Sequence, residues 1–177
     1  MSTIPLSDWS HAVVDVPGNG LSRERTVSEE ALAVLAKQLG MIRLVSVTAA
    51  YRIERLAAGA YRLRGRVMTK GEQACVVSLE PIASNVDEDF DVEFWPDLPD
   101  AEGGEDKAIL DARDVEPLEG GMIPVGRIVF ESISAGLDPY PRKPDAAFTW
   151  TDKAESAPEK VSPFAALAKL KGNPDKT

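Results

Sequence analysis

The arginines in the first half of this chain have a spacing that could bind a polyanion. Arg62, Arg64 and Arg66 occupy alternate positions, and Arg52 lies in an alternating stretch shortly before them. Alternate residues of a β-strand point to the same face, so the pattern predicts guanidinium groups side by side on a sheet. A guanidinium group can bind phosphate oxygens through two parallel hydrogen bonds. We therefore interpret these four arginines, called the arginine row below, as candidate ligands of RNA phosphates.

Other basic residues extend this interpretation. Arg142 and Lys143, within a proline-rich stretch, are further candidates for RNA binding. Arg23 and Arg25 precede a predicted helix, where an exposed basic loop is a simpler interpretation than a phosphate contact. The alternative for the arginine row is a solvated sheet face that the protein's own acidic segment partly neutralises. No row of aromatic residues accompanies the arginines, so sequence-specific recognition of single strands is not indicated.

Acidic residues dominate residues 87–119, where Lys107 and Arg113 are the only basic residues. The whole chain carries a formal net charge of -9, which argues against a protein that coats nucleic acid indiscriminately. The basic and acidic segments together make the molecule a charge dipole. The acidic segment could hold a basic partner protein, and a solubilising insertion is the alternative interpretation.

Few residues have the spacing that catalysis or metal binding requires. Acid pairs such as Asp87 with Asp89, or Asp111 with Asp114, could hold magnesium for a nuclease, but a flexible loop lacks the necessary rigidity. The single histidine, His11, has no predicted nucleophile nearby and is interpreted as structural or solvated. One cysteine and one histidine cannot form a disulfide or a zinc cage. We predict no catalytic residue, metal or cofactor, and expect a protein that is not an enzyme.

Residues 41–81 alternate between apolar and polar side chains, which predicts a β-sheet. The first strand is followed by a turn at residues 57–59, and the second strand carries most of the arginine row on its polar side. The apolar row of the first strand comprises Val45, Val47, Ala49, Tyr51 and Ile53.

A second turn near residues 70–72 is predicted to lead into a third strand over residues 74–81. The apolar row of this third strand comprises Cys75, Val77 and Leu79. Pro81 has no amide hydrogen, so strand pairing is predicted to stop there. The alternation at residues 90–94 predicts a further strand of the same sheet, and residues 9–16 predict an edge strand.

Two helices are predicted to cover the apolar face of this sheet. Thr26 followed by Glu29 indicates a capping box at the start of the first helix, and Gly40 indicates its end. The second helix begins at Pro124, because the first turn tolerates proline, and ends near Gly136. The apolar faces comprise Leu32, Leu35, Ala36 and Leu39 in the first helix and Val125, Ile128, Val129, Ile133 and Leu137 in the second.

These elements predict a single α+β domain over residues 1–150, with a curved antiparallel β-sheet or partly open barrel packed by two helices. A chain of 177 residues is long enough for one such core. We expect a flexible acidic loop at about residues 97–108. Residues 151–161 are polar and without periodicity, which predicts a disordered linker. A short C-terminal helix at residues 162–171 and a tail at residues 172–177 complete the chain.

The predicted C-terminal helix is amphipathic. Its apolar residues Phe164, Leu167 and Leu170 lie beside Lys169 and Lys171. A helix of about ten residues is unstable alone in water, so it needs a surface to fold against. That surface belongs either to a partner, which makes the helix a docking peptide, or to its own domain, and both interpretations stay open.

No apolar run approaches the roughly 20 residues that span a bilayer, and the first residues lack the pattern of a signal peptide. We therefore expect a cytoplasmic protein without membrane contact. A monomer is expected.

Four separated segments resemble the YceD family, whose members are described as large-subunit ribosomal RNA accumulation proteins. The segments are residues 75–81, the acidic run that begins at Asp87, residues 128–142, and the sequence SPFAALAKLK at residues 162–171. Many members of the family have a second cysteine where this chain has Ser78. A metal or redox role through two thiols is therefore not expected here.

The resemblance implies a bacterial factor in the maturation or accumulation of large-subunit ribosomal RNA and in ribosome assembly. The implied partner is ribosomal RNA or a large-subunit precursor. An alternative is that the acidic segment holds a basic ribosomal protein, as an adaptor or chaperone without direct RNA binding. The resemblance supplies no active site, and Cys75 is interpreted as a small buried apolar residue.

Overall fold

The computed structural model describes residues 6–96 and 114–147. Within these ranges the strands are β1 (His11–Ala12), β2 (Leu21–Thr26), β3 (Arg43–Arg55), β4 (Tyr61–Ala74), β5 (Pro81–Trp95), β6 (Asp114–Pro117) and β7 (Met122–Ile123). The helices are α1 (Glu29–Gln38) and α2 (Val125–Gly136).

Five of the described strands form one sheet in the order β2-β3-β4-β5-β6. Strands β2 to β5 pair antiparallel with their neighbours in sequence, whereas β6 pairs parallel with β5. Strands β1 and β7 form a separate two-stranded ribbon. The fold is therefore α+β with a mostly antiparallel sheet and two described helices, as predicted. The sheet is not closed into a barrel.

The β3–β4 hairpin follows the predicted alternation. The side chains of Val47, Ala49, Ile53, Leu63 and Val67 are fully buried. They belong to one hydrophobic core with the apolar faces of α1 and α2. Burial of apolar surface at about 25 cal/mol per Å² is the main force that joins the hairpin to the helices.

A β-bulge between Leu44 and Ser46 corrects the start of the predicted apolar row. Leu44 points into the core, whereas Val45 is 55% exposed. The prediction that Val45 belongs to the buried row is wrong, because an extra residue in one strand reverses the alternation.

The predicted turn at residues 70–72 is part of β4, which pairs with both of its neighbours there. The chain reverses only beyond β4, where the Cys75 N–H donates to the Glu80 carbonyl oxygen at 2.8 Å. The Leu79 N–H donates to the Cys75 carbonyl oxygen at 2.9 Å. The prediction of a third strand over residues 74–81 is therefore wrong, because local hydrogen bonds close this segment into a turn.

Pro81 is the first residue of β5 and pairs with Ala74, so pairing begins at this proline instead of stopping. The first position of a strand tolerates a residue without an N–H. Strand β5 continues to Trp95 and contains the predicted strand at residues 90–94. The predicted edge strand at residues 9–16 is mostly wrong, because its partner β7 has two residues and single turns of 3-10 helix flank the short β1.

Helix α1 begins after Ser28, whose Oγ accepts a hydrogen bond from the Ala31 N–H at 3.4 Å. Thr26 is the last residue of β2, so the predicted capping box with Glu29 is wrong. The chain is still extended at Thr26, and a cap can act only where the helical turn begins. Gly40 has φ +67°, which confirms the predicted left-handed residue after the helix.

Helix α2 ends at Gly136, as predicted, and begins at Val125, one residue after the predicted start, because Pro124 caps the helix instead of belonging to its first turn. Val125, Val129 and Ile133 are fully buried in its core-facing stripe. The periodic spacing of these side chains was therefore sufficient to identify both the helix and its buried face.

Several predicted elements lie outside the described residues. They are the acidic loop at residues 97–108, the linker at residues 151–161, the tail at residues 172–177, and the C-terminal helix with Phe164, Leu167, Lys169, Leu170 and Lys171. The described residues before Ala147 belong to a single compact unit. No described helix is long and apolar enough to span a membrane.

Candidate nucleic-acid interface

The arginine row lies on the face of the sheet that points away from the buried core. Arg52 of β3 and Arg64 of β4 are direct cross-strand partners. Arg62 and Arg66 occupy the alternate positions on either side of Arg64, so the four guanidinium groups share one face. The side chains of Arg64 and Arg66 are 50% and 55% exposed. The structure thus brings the four predicted residues together on an accessible surface.

Carboxylates of β5 pair with two members of this row. Arg66 donates from Nε to Oδ1 of Asp87 at 2.5 Å and from Nη2 to Oδ2 at 2.6 Å. Arg62 makes the same two-bond contact with Asp91, with an Nε to Oδ1 distance of 2.7 Å. These hydrogen bonds raise the pKa of both arginines and lower the pKa of the Asp87 carboxyl.

Glu54 contacts the other two arginines of the row. Its Oε1 accepts from Arg52 Nε at 2.7 Å and from Arg64 Nη2 at 3.3 Å. The hydrogen bond from Arg52 is the main reason that the pKa of the Glu54 carboxyl is lowered. Arg52 also donates to Ser22 Oγ at 3.0 Å and to the Asn19 carbonyl oxygen at 2.8 Å. Arg52 is therefore held within the protein more firmly than Arg64.

The arginine row is partly neutralised by side chains of β3 and β5. This agrees with the alternative interpretation, in which the row is a solvated sheet face that carboxylates of the same protein partly neutralise. Any phosphate that binds here must compete with these carboxylates for the same N–H donors. Exposed single-contact ion pairs contribute only about 0–1 kcal/mol each. A polyanion can therefore exchange with a pair such as Arg64–Glu54. The two-bond pairs of Arg62 and Arg66 are stronger and are displaced less readily.

Arg142 and Lys143 lie near the turn between β4 and β5, away from the arginine row. Lys143 Nζ donates to Glu80 Oε2 at 2.7 Å, and the Val76 N–H donates to the Pro141 carbonyl oxygen at 2.9 Å. Strand geometry places Glu80 about 20 Å from the nearest ion pair of the row. The structure therefore does not join these two predicted residues to the row.

The same turn holds the chain's one cysteine. The Cys75 side chain is buried, and its Sγ accepts a hydrogen bond from the Ser78 N–H at 3.4 Å. Hydrogen bonds from Ser78, followed by the backbone of Lys143, lower the pKa of the Cys75 thiol to about 6. The interpretation of Cys75 as a simple apolar residue is therefore incomplete, because polar donors surround the sulfur.

A second group of basic side chains is formed by His11 of β1 and by Arg23 and Arg25 on the core-facing side of β2. Arg23 is the cross-strand partner of Tyr51, and Arg25 is the partner of Ala49. The Nε2 atom of His11 lies 2.8 Å from the Tyr51 hydroxyl oxygen. We call His11, Arg23 and Arg25 the edge cluster. Sequence reasoning missed this grouping.

The strand that carries the edge cluster had a visible signal in the sequence. Arg23 and Arg25 alternate within the six residues LSRERT, as expected of a strand. The prediction placed the helix cap at Thr26 instead of Ser28. Arg23 and Arg25 were therefore interpreted as part of a basic loop before the helix and not as part of a strand. That interpretation of Arg23 and Arg25 is wrong.

Burial and like charge together determine the state of His11. Arg25 donates to the Asp8 carbonyl oxygen at 3.0 Å, and its guanidinium carbon lies 5.5 Å from the centre of the Trp9 ring. Burial, followed by the charges of Arg25 and Arg23, lowers the pKa of His11, whereas Asp15 raises it. The imidazole is therefore mostly neutral at pH 7, and its Nε2 is hydrogen-bonded to the Tyr51 hydroxyl.

The acid pairs considered as magnesium ligands have different positions. Asp87 and Asp89 belong to β5 and not to a flexible loop, and Asp114 is the first residue of β6. Asp111 lies outside the described residues. Across residues 6–96 and 114–147, no group of three or more potential metal-ligating side chains occurs.

An acidic depression of about 570 Å³ lies between β5, β6 and α2. Its carboxylates include Glu88 and Asp114, and Glu131 projects from the helix. Arg127 of α2 partly neutralises it, because its Nη1 lies 3.1 Å from Glu131 Oε1 and its Nη2 bonds to Glu116. The depression has the charge to accept a basic side chain.

The fold and the site define an α+β domain whose open sheet presents arginine side chains to solvent. A protein-family model matches residues 63–171, which is more than half of the 177-residue chain. The chain belongs to this family, described as Large ribosomal RNA subunit accumulation protein YceD, and the resemblance is thereby confirmed. The family name implies involvement in the accumulation of large-subunit ribosomal RNA. No curated protein and no solved structure matches the chain.

Proposed function

We propose that this protein is a non-catalytic factor of large-subunit ribosome assembly that contacts ribosomal RNA or a large-subunit precursor. The observation that carries the proposal is the arginine row on the open face of the sheet, taken together with family membership. Arginine contacts to phosphates position a protein on RNA without reading its sequence. We propose that the protein acts in the cytoplasm as a monomer and without a cofactor.

The internal ion pairs determine how such a contact forms. Arg64 is the most available member of the row, because its only ion pair with a described residue is the 3.3 Å contact to Glu54. Arg62 and Arg66 bind phosphate when it displaces their β5 carboxylates. The displaced carboxylates then repel the RNA, which limits the affinity. Binding through such contacts weakens steeply as the salt concentration rises.

The first experiment is sedimentation of the tagged full chain from cell lysate on a sucrose gradient, with RNA and protein identified in each fraction. Migration with large-subunit precursors is the expected result. A chain that stays at the top of the gradient without ribosomal RNA would contradict the proposal.

The second experiment tests the surface itself. The double variant Arg62→Gln/Arg64→Gln is expected to bind RNA more weakly and to show a salt slope smaller by about 0.7 for each lost phosphate contact. The control Lys37→Gln/Arg43→Gln removes the same charge from exposed positions away from the row. Equal loss in both variants, or no loss in either, would exclude the arginine row as the contact.

A second candidate function is supported by the acidic depression between β5, β6 and α2. In this function the protein is an adaptor that holds a basic ribosomal protein before its assembly. The same gradient separates the two candidates. Co-migration with one basic ribosomal protein at the top of the gradient would favour the adaptor.

A further inference from the structure

We propose that the edge cluster of His11, Arg23 and Arg25 binds phosphate groups of RNA as a second contact beside the arginine row. This inference rests on the proposed function and deepens it, because it assigns RNA contact to residues on the other face of the sheet. All three residues precede the range that the family model matches.

The position of β2 makes a joint contact possible. Strand β2 is the last strand on its side of the described sheet, and its Ser22 is the cross-strand partner of Arg52. Strand β3, which carries Arg52 of the arginine row, is the neighbour of β2 and lies about 4.8 Å from it. An RNA strand that passes over this edge meets cations on both faces of the sheet.

The edge cluster is less fully neutralised by carboxylates than the arginine row. Each arginine of the row contacts a carboxylate oxygen at 3.3 Å or less. In the edge cluster, the carboxylate of Asp8 is 4.0 Å from Arg25, and Arg23 makes no ion pair with any described residue. Arg23 instead donates to the Ser22 carbonyl oxygen at 3.0 Å. A carbonyl dipole satisfies an N–H donor but leaves the net positive charge in place.

The spacing of the two arginines suits a chain of phosphates. Arg23 and Arg25 are two residues apart on one strand face, and their Cα atoms are therefore about 7 Å apart. Arg23 is exposed, whereas Arg25 is held over Trp9. The guanidinium over Trp9 provides a preorganised site, and the exposed one can reach the same phosphate or the next.

His11 is the titratable member of the edge cluster, and its protonation state responds to a nearby anion. Tyr51 faces it from β3, Arg23 and Arg25 from β2, and Asp15 from the 3-10 turn that follows β1. A phosphate beside the two arginines offsets their charge and favours the imidazolium form, so binding and protonation of His11 are linked.

The single histidine of the chain makes this linkage measurable. The Cε1 proton of His11 gives one NMR signal in the full-length protein, and its pH titration reports only this site. The titration is recorded for the protein alone, with a uridine dodecamer RNA, and with inorganic phosphate. We expect the RNA to raise the pKa of His11 by about one unit.

Arg23→Gln is the matched variant, because Arg23 is exposed and its loss leaves the core unchanged. Its affinity for the dodecamer is expected to fall about fivefold at low salt, and its salt slope to decrease by about 0.7. Arg23→Lys retains the charge and is expected to keep the wild-type slope. The control Arg43→Gln removes one charge about 20 Å away along β3 and is expected to leave the pKa of His11 unchanged.

The outcomes distinguish this inference from the proposed function. RNA binding with an unchanged pKa of His11 and full affinity of Arg23→Gln would overturn the edge cluster and leave the arginine row as the contact. A response of His11 to inorganic phosphate but not to RNA would also overturn the assignment, because the cluster would then bind only small anions. Absence of the protein from large-subunit precursors in the sucrose gradient would overturn the proposed function, whatever the NMR titration shows.

Discussion

Gly65 occupies the β4 segment that carries the arginine row, at a position where a methyl group has no room. It pairs with Tyr51 of β3 and Phe90 of β5. A Cβ atom at Gly65 would lie 2.5 Å from the Ala50 carbonyl oxygen, 2.6 Å from Cζ of Phe90 and 2.8 Å from Cβ of Tyr51. Favourable contacts between carbon atoms are about 3.5–4.0 Å long, so these neighbours would have to move by about 1 Å.

The substitution Gly65→Ala therefore has a calculable cost. The nearest atom belongs to the backbone of β3, which cannot rotate away as a flexible side chain can. Overpacking of this kind costs about 1–3 kcal/mol. The lower entropy of the unfolded chain offsets about 0.4–1 kcal/mol of that cost. We expect a net loss of about 1–2 kcal/mol in the free energy of unfolding, which lowers the Tm of a domain of this size by about 2–8 °C.

Urea denaturation followed by circular dichroism measures this loss, and differential scanning calorimetry gives the Tm. Gly18→Ala is the matched control, because a Cβ at Gly18 meets nothing within 4 Å and its φ lies outside the left-handed region. The control is expected to unfold like the wild type or to be more stable by up to about 1 kcal/mol. A Gly65→Ala variant as stable as the control would refute the packing argument.

Three further predictions concern the helices and His11. Ser28→Ala removes the cap that accepts from the Ala31 N–H and is expected to cost about 0.5–2 kcal/mol in urea denaturation; no loss would mean that the cap is unimportant. Leu35→Ala truncates a fully buried side chain and is expected to cost about 2–5 kcal/mol, whereas Val34→Ala at a half-exposed position on the same helix should cost much less. The lowered pKa of folded His11 means that the unfolded chain binds the proton more tightly. Stability from this group is therefore complete above the ordinary pKa of about 6.5 and is lost as the pH falls toward the lowered pKa. The urea midpoint of His11→Gln is expected to fall less between pH 7 and pH 5 than the midpoint of the wild type. The same pH dependence in both proteins would contradict this prediction.

The β3–β4 hairpin and both helices could be predicted because their signals are local and repeated. Val47, Ala49 and Ile53 are spaced at the period of a strand, and Val125 and Val129 at the period of a helix. Each pattern extends over enough residues to favour one type of secondary structure over the other. The same regularity predicted that the arginine row would share one face.

The turn after β4 could not be recognised in the same way. Cys75, Val77 and Leu79 alternate like a strand, but Leu79 is 75% exposed and has φ +61°. Three alternating residues are too few to distinguish a strand from a turn. Misplacing this turn also changes the register of β5, which determines the carboxylates beside the arginines.

The contacts within the candidate sites depend on that register and on distant pairings. Arg62 lies directly opposite Glu93, although it bonds to Asp91 two residues earlier in β5. His11 meets Tyr51 across 40 residues of sequence. Neither contact can be predicted from the periodicity of neighbouring residues. The composition of the sites was therefore partly predictable, whereas the neutralisation of the arginine row and the existence of the edge cluster were not.

The strand order has a consequence for the sequence of folding events. Strands β2 to β5 each pair with the next strand along the chain, and such local contacts form quickly. Strand β1 must wait for β7, because its His11 pairs with Ile123. During synthesis from the N-terminus the meander can form before α2 has emerged. His11 reaches its final position only after the chain beyond residue 123 has been made, so the edge cluster is among the last parts of the domain to be completed.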